Sequence, residues 1–200
     1  VDWIYNRPRP DDDAVPVAVA NYKNIPLYET TTAPYSLVHT GGNFMADGFG
    51  TAFSSKLVLE ENSPGGTFNP EDLTEAQIDA RMNQFMGIHT YIKTQTLPYD
   101  ASNHIDMHMK LLDEETLLVS EYPAGVADGP QIEFNLNYVV TNFNSVYGTP
   151  YDVIRIPAPP STSGLYADAG GYYRTYTNQV FVNGTVLVPF YRQEYDTIAQ

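Results

Sequence analysis

The chain has no cysteine, a single tryptophan, and only 10 lysines and arginines against 24 aspartates and glutamates. Without cysteine there is no disulfide, no thiolate metal site and no cysteine nucleophile within these 200 residues. A formal charge of −14 makes nucleic acid a poor partner. Long apolar runs are missing too. Stretches such as Thr185 to Tyr191 fall far short of the ~20 residues of a membrane helix, and no basic segment leading into an apolar one opens the chain. The chain starts at Val1 rather than methionine and stops at Gln200 in what reads as the start of an acidic helix, so it is expected to be part of a longer protein.

What is present is 16 tyrosines, 15 prolines and 14 glycines. Tyrosine suits half-buried strand faces and clefts, whereas proline and glycine demand turns. Residues 1–200 are long enough for one core, and the expectation is a single domain or part of one. Strands are expected at Val1–Tyr5, Ser36–Val38, Lys56–Glu60, Met107–Leu112, Thr116–Glu121, Tyr151–Ile156, Thr175–Val182 and Thr185–Tyr191. Asn183-Gly184 is a hairpin signal, and Asp113-Glu114-Glu115 is a turn between antiparallel strands. Helices are expected from the Asn69-Pro70-Glu71-Asp72 cap through Met86, over Gly129–Asn144, and over Asp11–Tyr22. Strand pairs alternating with helices suggest a repeated α/β module without literal sequence repeat.

Three segments could carry chemistry. In an extended chain, His104, Asp106 and His108 share one face. A histidine beside a carboxylate offers a proton shuttle and a cation anchor, while two histidines and an aspartate could hold a metal, and a plain polar strand face is the bland alternative. The segment from Thr40 through Gly41, Gly42 and Asn43 to Thr51 has neither a Walker ending nor the dinucleotide spacing, and by itself means tight turns. Tyr5-Asn6-Arg7-Pro8-Arg9-Pro10 sets two of the few basic residues one position apart between prolines. Two such guanidinium groups can grip a carboxylate, or pair with Asp11, Asp12 and Asp13.

These segments, together with Tyr176-Thr-Asn-Gln-Val-Phe-Val-Asn-Gly, occur in the same order as in the agmatine deiminase and bacterial peptidylarginine deiminase family, which the chain resembles over nearly its whole length. The resemblance implies a five-bladed α/β propeller, of which about three blades fit here, with residues 1–200 forming part of one catalytic domain. It implies no cofactor or metal, and deimination of a guanidinium group by a cysteine beyond Gln200. His104 would be the general acid and base, Asp106 the guanidinium anchor and Asn178 a polar neighbour of the nucleophile. Arg7 and Arg9 match a pair that holds the α-carboxylate of a C-terminal arginine, with Gly41, Gly42 and Asn43 at the substrate. Trp3-Ile4-Tyr5-Asn6 is not the family's Trp-x-Arg-Asp motif, whose aspartate is expected upstream. The expected partner is therefore an arginine-containing peptide or a small guanidine such as agmatine, with a silent deiminase-fold binding protein as the contrasting reading. The composition leans towards an exported bacterial protein, with the cytoplasm as the alternative.

Overall fold

The computed structural model describes residues 1–126, 128–166, 173–191 and 194–199. The chain opens with β1 (Asp2–Tyr5), α1 (Pro10–Asp13), α2 (Val15–Lys23), β2 (Glu29–Thr30) and β3 (Val38–His39). Both later strands pair with β1 in parallel, in the order β2-β1-β3. Each helix has proline in its first two positions, where a missing N–H leaves no intrahelical bond unmade. Asn24 ends α2 in the left-handed conformation, at φ 52°.

Two modules of one pattern follow. In the first, β4 (Met45–Ala46) pairs antiparallel with β5 (Thr51–Ser55), α3 (Leu57–Asn62) and α4 (Glu75–Met86) cross over, and β6 (Thr90–Thr94) returns parallel to β5. In the second, β7 (Met109–Leu111) pairs antiparallel with β8 (Thr116–Glu121), α5 (Asp128–Asn142) crosses over, and β9 (Asp152–Pro157) returns parallel to β8. A separate hairpin of β10 (Val180–Val182) and β11 (Thr185–Leu187) precedes α6 (Asp196–Ala199). The fold is therefore α/β with a repeated module, built on separate sheets, none of them closed among the described residues.

The central strands hold the core. Phe53 of β5, Ile92 of β6 and Leu117 and Val119 of β8 pack with Ile105 and Met109 against Ile132 and Val139 of α5. Ala52 faces the other way, towards Val58 of α3 and Ile78 and Met82, one helical turn apart on α4. Removing this apolar surface from water, at roughly 25 cal/mol per Å², is what holds short strands of two to six residues in register.

Several expectations change. Lys56–Glu60 is not a strand; its Leu-Val-Leu run lies in α3, made mostly of good helix formers. That helix is closed by the buried Asn62, whose Nδ2 donates to the carbonyls of Val58 and Val38, both at 2.8 Å, while its Oδ1 accepts from Val38 N at 2.9 Å. The helix expected from Asn69 begins at Thr74 instead, in a reciprocal capping box with Gln77. Asn69 is used in a turn, accepting from Glu71 N at 3.1 Å and donating to Asn62 O at 2.9 Å. The strand expected over Thr175–Val182 shrinks to Val180–Val182, because Thr175, Tyr176 and Thr177 are tied down by side-chain bonds. Residues 105–107 form a 3-10 turn rather than extended chain. The two expected turns do form: Asn183 is left-handed at φ 54°, and Asp113 Oδ1 caps the N–H groups of Glu115 and Thr116.

Candidate active site

Four chain segments converge at one place. The loop leaving β1 carries Asn6 to Arg9, the loop leaving β3 carries a 3-10 turn over Gly41–Asn43, and the turn before β7 carries His104 and Asp106. The fourth segment is Thr175–Thr177, where Thr177 Oγ1 donates to the carbonyl of Asp106 at 2.8 Å. Asn43 fastens the second segment to the third: its Oδ1 accepts from Ser55 N at 2.8 Å and Ile105 N at 3.1 Å, and its Nδ2 reaches Ser55 O at 3.5 Å. Asn43 was expected at the substrate. It is fully buried, and its amide is spent on backbone groups, so its part is to build the site.

Gly42 lies directly beneath His104 and Asp106. A β-carbon there would sit 2.5 Å from His104 Nδ1 and 3.0 Å from Asp106 Oδ2, so the two side chains come together over a residue that has none. Gly41, one residue earlier, faces open space. The other ends of both side chains, His104 Nε2 and Asp106 Oδ1, are buried with no hydrogen-bond partner among the described residues. Buried polar atoms are nearly always bonded, so a free donor or acceptor pair marks a place shaped for something else.

Burial sets the electrostatics. It pushes the Asp106 carboxyl up to about 6, with Lys110 pulling it down and Asp100 adding to the rise. It also pushes His104 down, against the favourable charge of Asp100 and together with the unfavourable charge of Arg7. Lys110 is itself lowered by burial and stands 5.6 Å over the Phe181 ring. Behind the site, His39 stacks on Trp3 at 4.7 Å, bonds Tyr91 at 2.8 Å through Nε2, and is held neutral by burial, near 4.

The arginine pair divides. Arg9 is exposed and pairs with Asp12 at 3.4 Å, whereas Arg7 is exposed and acts electrostatically on both His104 and Glu61. Both line a surface cleft of about 470 Å³ with Tyr5, Asp13, Thr31 and Phe68. Asn178 is exposed and adjoins Thr177, which ties its segment to Asp106. His108 parts company with His104 and Asp106: it is buried, and its Nε2 accepts from Asn135 at 3.2 Å. The reading of these three as metal ligands is therefore set aside, and no metal-holding group of this kind exists among the described residues.

A family model described as Porphyromonas-type peptidyl-arginine deiminase matches residues 1–200. The chain belongs to that family. A Vibrio parahaemolyticus protein provisionally named an agmatine deiminase is 26% identical over 208 residues, covering 94% of this chain and 54% of its own. The agmatine deiminase of Enterococcus faecalis matches in structure with a TM-score of 0.77 at 19% identity, over 99% of this chain and 59% of that one. The C. jejuni agmatine deiminase matches with a TM-score of 0.67 at 23% identity, over 94% and 51%. At such identities the structures speak for the fold. The chain spans about half the length of these relatives.

The arrangement offers a buried carboxylate and imidazole, side by side over a glycine, with an arginine near the imidazole. It can hold a planar cation and exchange protons with it. Pattern reading missed Asp100, Thr177 and Lys110. For Asp100 a signal existed, since aspartate two residues before serine starts an Asx turn. Thr177 lies 71 residues from its partner, and nothing local announces it.

Proposed function

We propose that the protein is a hydrolytic deiminase of arginine carrying a free α-carboxylate, whether free or at the C-terminus of a peptide. The observation that carries this is the pair of buried, unpartnered atoms on His104 and Asp106 over Gly42. A carboxylate buried enough to be raised to about 6 is a costly anion until a cation meets it. A guanidinium is planar, always charged, and presents N–H groups in a fork that fits a carboxylate.

In this reading a cysteine outside residues 1–200 adds to the guanidinium carbon held by Asp106. His104 gives its proton to the departing nitrogen, which leaves as ammonia and leaves a thiouronium. His104 then takes a proton from water, which adds to the same carbon. The thiolate departs and citrulline remains. Asn178 lies near the nucleophile, and Gly41 and Gly42 line the pocket floor. The two α/β modules are blades of a five-bladed propeller, of which this chain supplies about three, in keeping with the similarity to deiminase structures.

Arg7 and Arg9 hold the substrate carboxylate. The second reading, agmatine as substrate, is favoured by the Arg9–Asp12 pair, which occupies one of the two arginines, and by the names of the relatives. Competition kinetics on the full-length protein separates them. Charge-assisted bonds are worth roughly 1.5–3 kcal/mol each, and about 1.4 kcal/mol is tenfold, so arginine should be preferred at least tenfold over agmatine. Arg7→Ala with Arg9→Ala should erase most of that preference. Equal efficiencies in the unmutated protein would assign the pair to ion pairing alone.

A further inference from the structure

Asp100 stands between β6 and the His104 turn and takes part in none of the reaction steps proposed above. It is 5% exposed. Its Oδ1 accepts from Ser102 N at 2.9 Å and Ser102 Oγ at 2.7 Å, and the same Ser102 Oγ accepts from His104 N at 3.4 Å. Asn103, in the left-handed conformation at φ 57°, turns the chain between them, its N–H donating to Asp100 O at 3.3 Å. The second oxygen, Oδ2, is buried with no hydrogen-bond partner among the described residues. A carboxylate used only to build a turn would leave its spare oxygen in water, where solvation costs nothing.

We infer that Asp100 is a positioning residue for His104, fixing the backbone of the histidine through Ser102 and setting a buried negative charge beside the imidazole. The inference rests on the deiminase reading only for its effect on turnover. The charges around His104 oppose one another: Asp100 and Asp106 come from its own segment, Arg7 from the loop after β1, and His39, held neutral, from β3. Burial and Arg7 disfavour imidazolium, and Asp100 is the leading favourable charge. It thus lets a buried histidine carry the proton that a departing nitrogen needs.

The test has one arm free of catalysis. In the full-length protein, NMR titration of the His104 imidazole, assigned by loss of its signal in His104→Gln, is compared between the unmutated protein and Asp100→Asn. Asparagine still accepts from Ser102 but carries no charge. The His104 midpoint should fall by roughly half a unit to one unit, and Asp100→Glu should restore it. An unchanged or higher midpoint in Asp100→Asn overturns the charge coupling, whether or not the protein deiminates anything. In the kinetic arm, Asp100→Asn should move the alkaline limb of kcat to lower pH by the same amount. Ser102→Ala, which keeps the charge, should lower kcat several-fold with little change in KM or in the limb. Full turnover in Ser102→Ala overturns the positioning role and holds even where Asp100→Asn fails to fold. Absence of ammonia release from every guanidino substrate by the unmutated protein would instead remove the deiminase reading and leave the NMR arm to decide the coupling.

Discussion

At Gly42 the absence of a side chain is itself the functional feature. Its φ is not in the left-handed region, so the need for glycine comes from the 2.5 Å and 3.0 Å approaches to His104 and Asp106. Both obstructing atoms end movable side chains, so Gly42→Ala is expected to displace them rather than the backbone. Deiminase efficiency should fall at least tenfold while the melting temperature changes by no more than a few degrees. Parallel losses of both would make Gly42 a packing residue only. Asp106 gives a second expectation. Its folded-state carboxyl, raised to about 6, lies above its unfolded value, so the contribution of this one group to the stability of the unliganded protein is lost as pH rises from about 4 to 6 and stays lost above that. Asp106→Asn should therefore be more stable by about 3 kcal/mol at pH 7, and hardly more stable near pH 4, while activity disappears. Urea unfolding at the two pH values reads this directly, and a loss of stability at pH 7 would contradict it. Much of this site was legible at the level of single residues, because His104, Asp106 and Gly42 lie in recognisable motifs. The period-two argument for their common side was not the cause, since a 3-10 turn, not a strand, brings them together.

Among the elements, strands and helices with strong local signals were the readable ones. β7, β8, β9 and α5 fall within two residues of their expected bounds, because alternating or helical apolar spacing agrees there with the final packing. The central strand β5 was missed because all five residues of Thr-Ala-Phe-Ser-Ser are buried, which leaves no alternation to read. α3 was taken for a strand because what decides its state is Asn62, whose bonds reach back to Val38, 24 residues away. That asparagine ties α3 to the outer edge of β3, the strand that leads into the glycine turn. Asn62→Ala would leave one N–H and two carbonyls without this partner, at about 1–3 kcal/mol for each group left buried and unpaired. A loss of roughly 3 kcal/mol in urea unfolding is expected, against about 1 kcal/mol for Thr74→Ala at the exposed cap of α4. Equal costs for the two would deny Asn62 any bridging role.

For the molecule as a whole, acid acts in two opposed directions. Lowering the pH from neutral reduces the −14 charge and relieves self-repulsion. His39 and His108 work against this, because burial holds each near 4, below the value of about 6.5 they regain on unfolding. Their contribution is complete above pH 6.5 and is lost as pH falls towards 4, since the unfolded chain then takes up protons that the folded one refuses. Melting temperature should accordingly drop over this window, because two depressed histidines outweigh the single raised carboxyl of Asp106 and the shrinking net charge, and a rise on acidification would show that those two opposing effects dominate. The sheet edges have a consequence of another kind. β9 is bonded on one side only among the described residues, and it carries Val153 and Ile154 exposed at 37% and 49%. An unpaired row of amides beside exposed β-branched residues is a template for another strand. During refolding at high concentration, a second molecule adds to that edge in competition with completion of the fold, so the recovery of unaggregated protein is governed by dilution more than by the stability of the core.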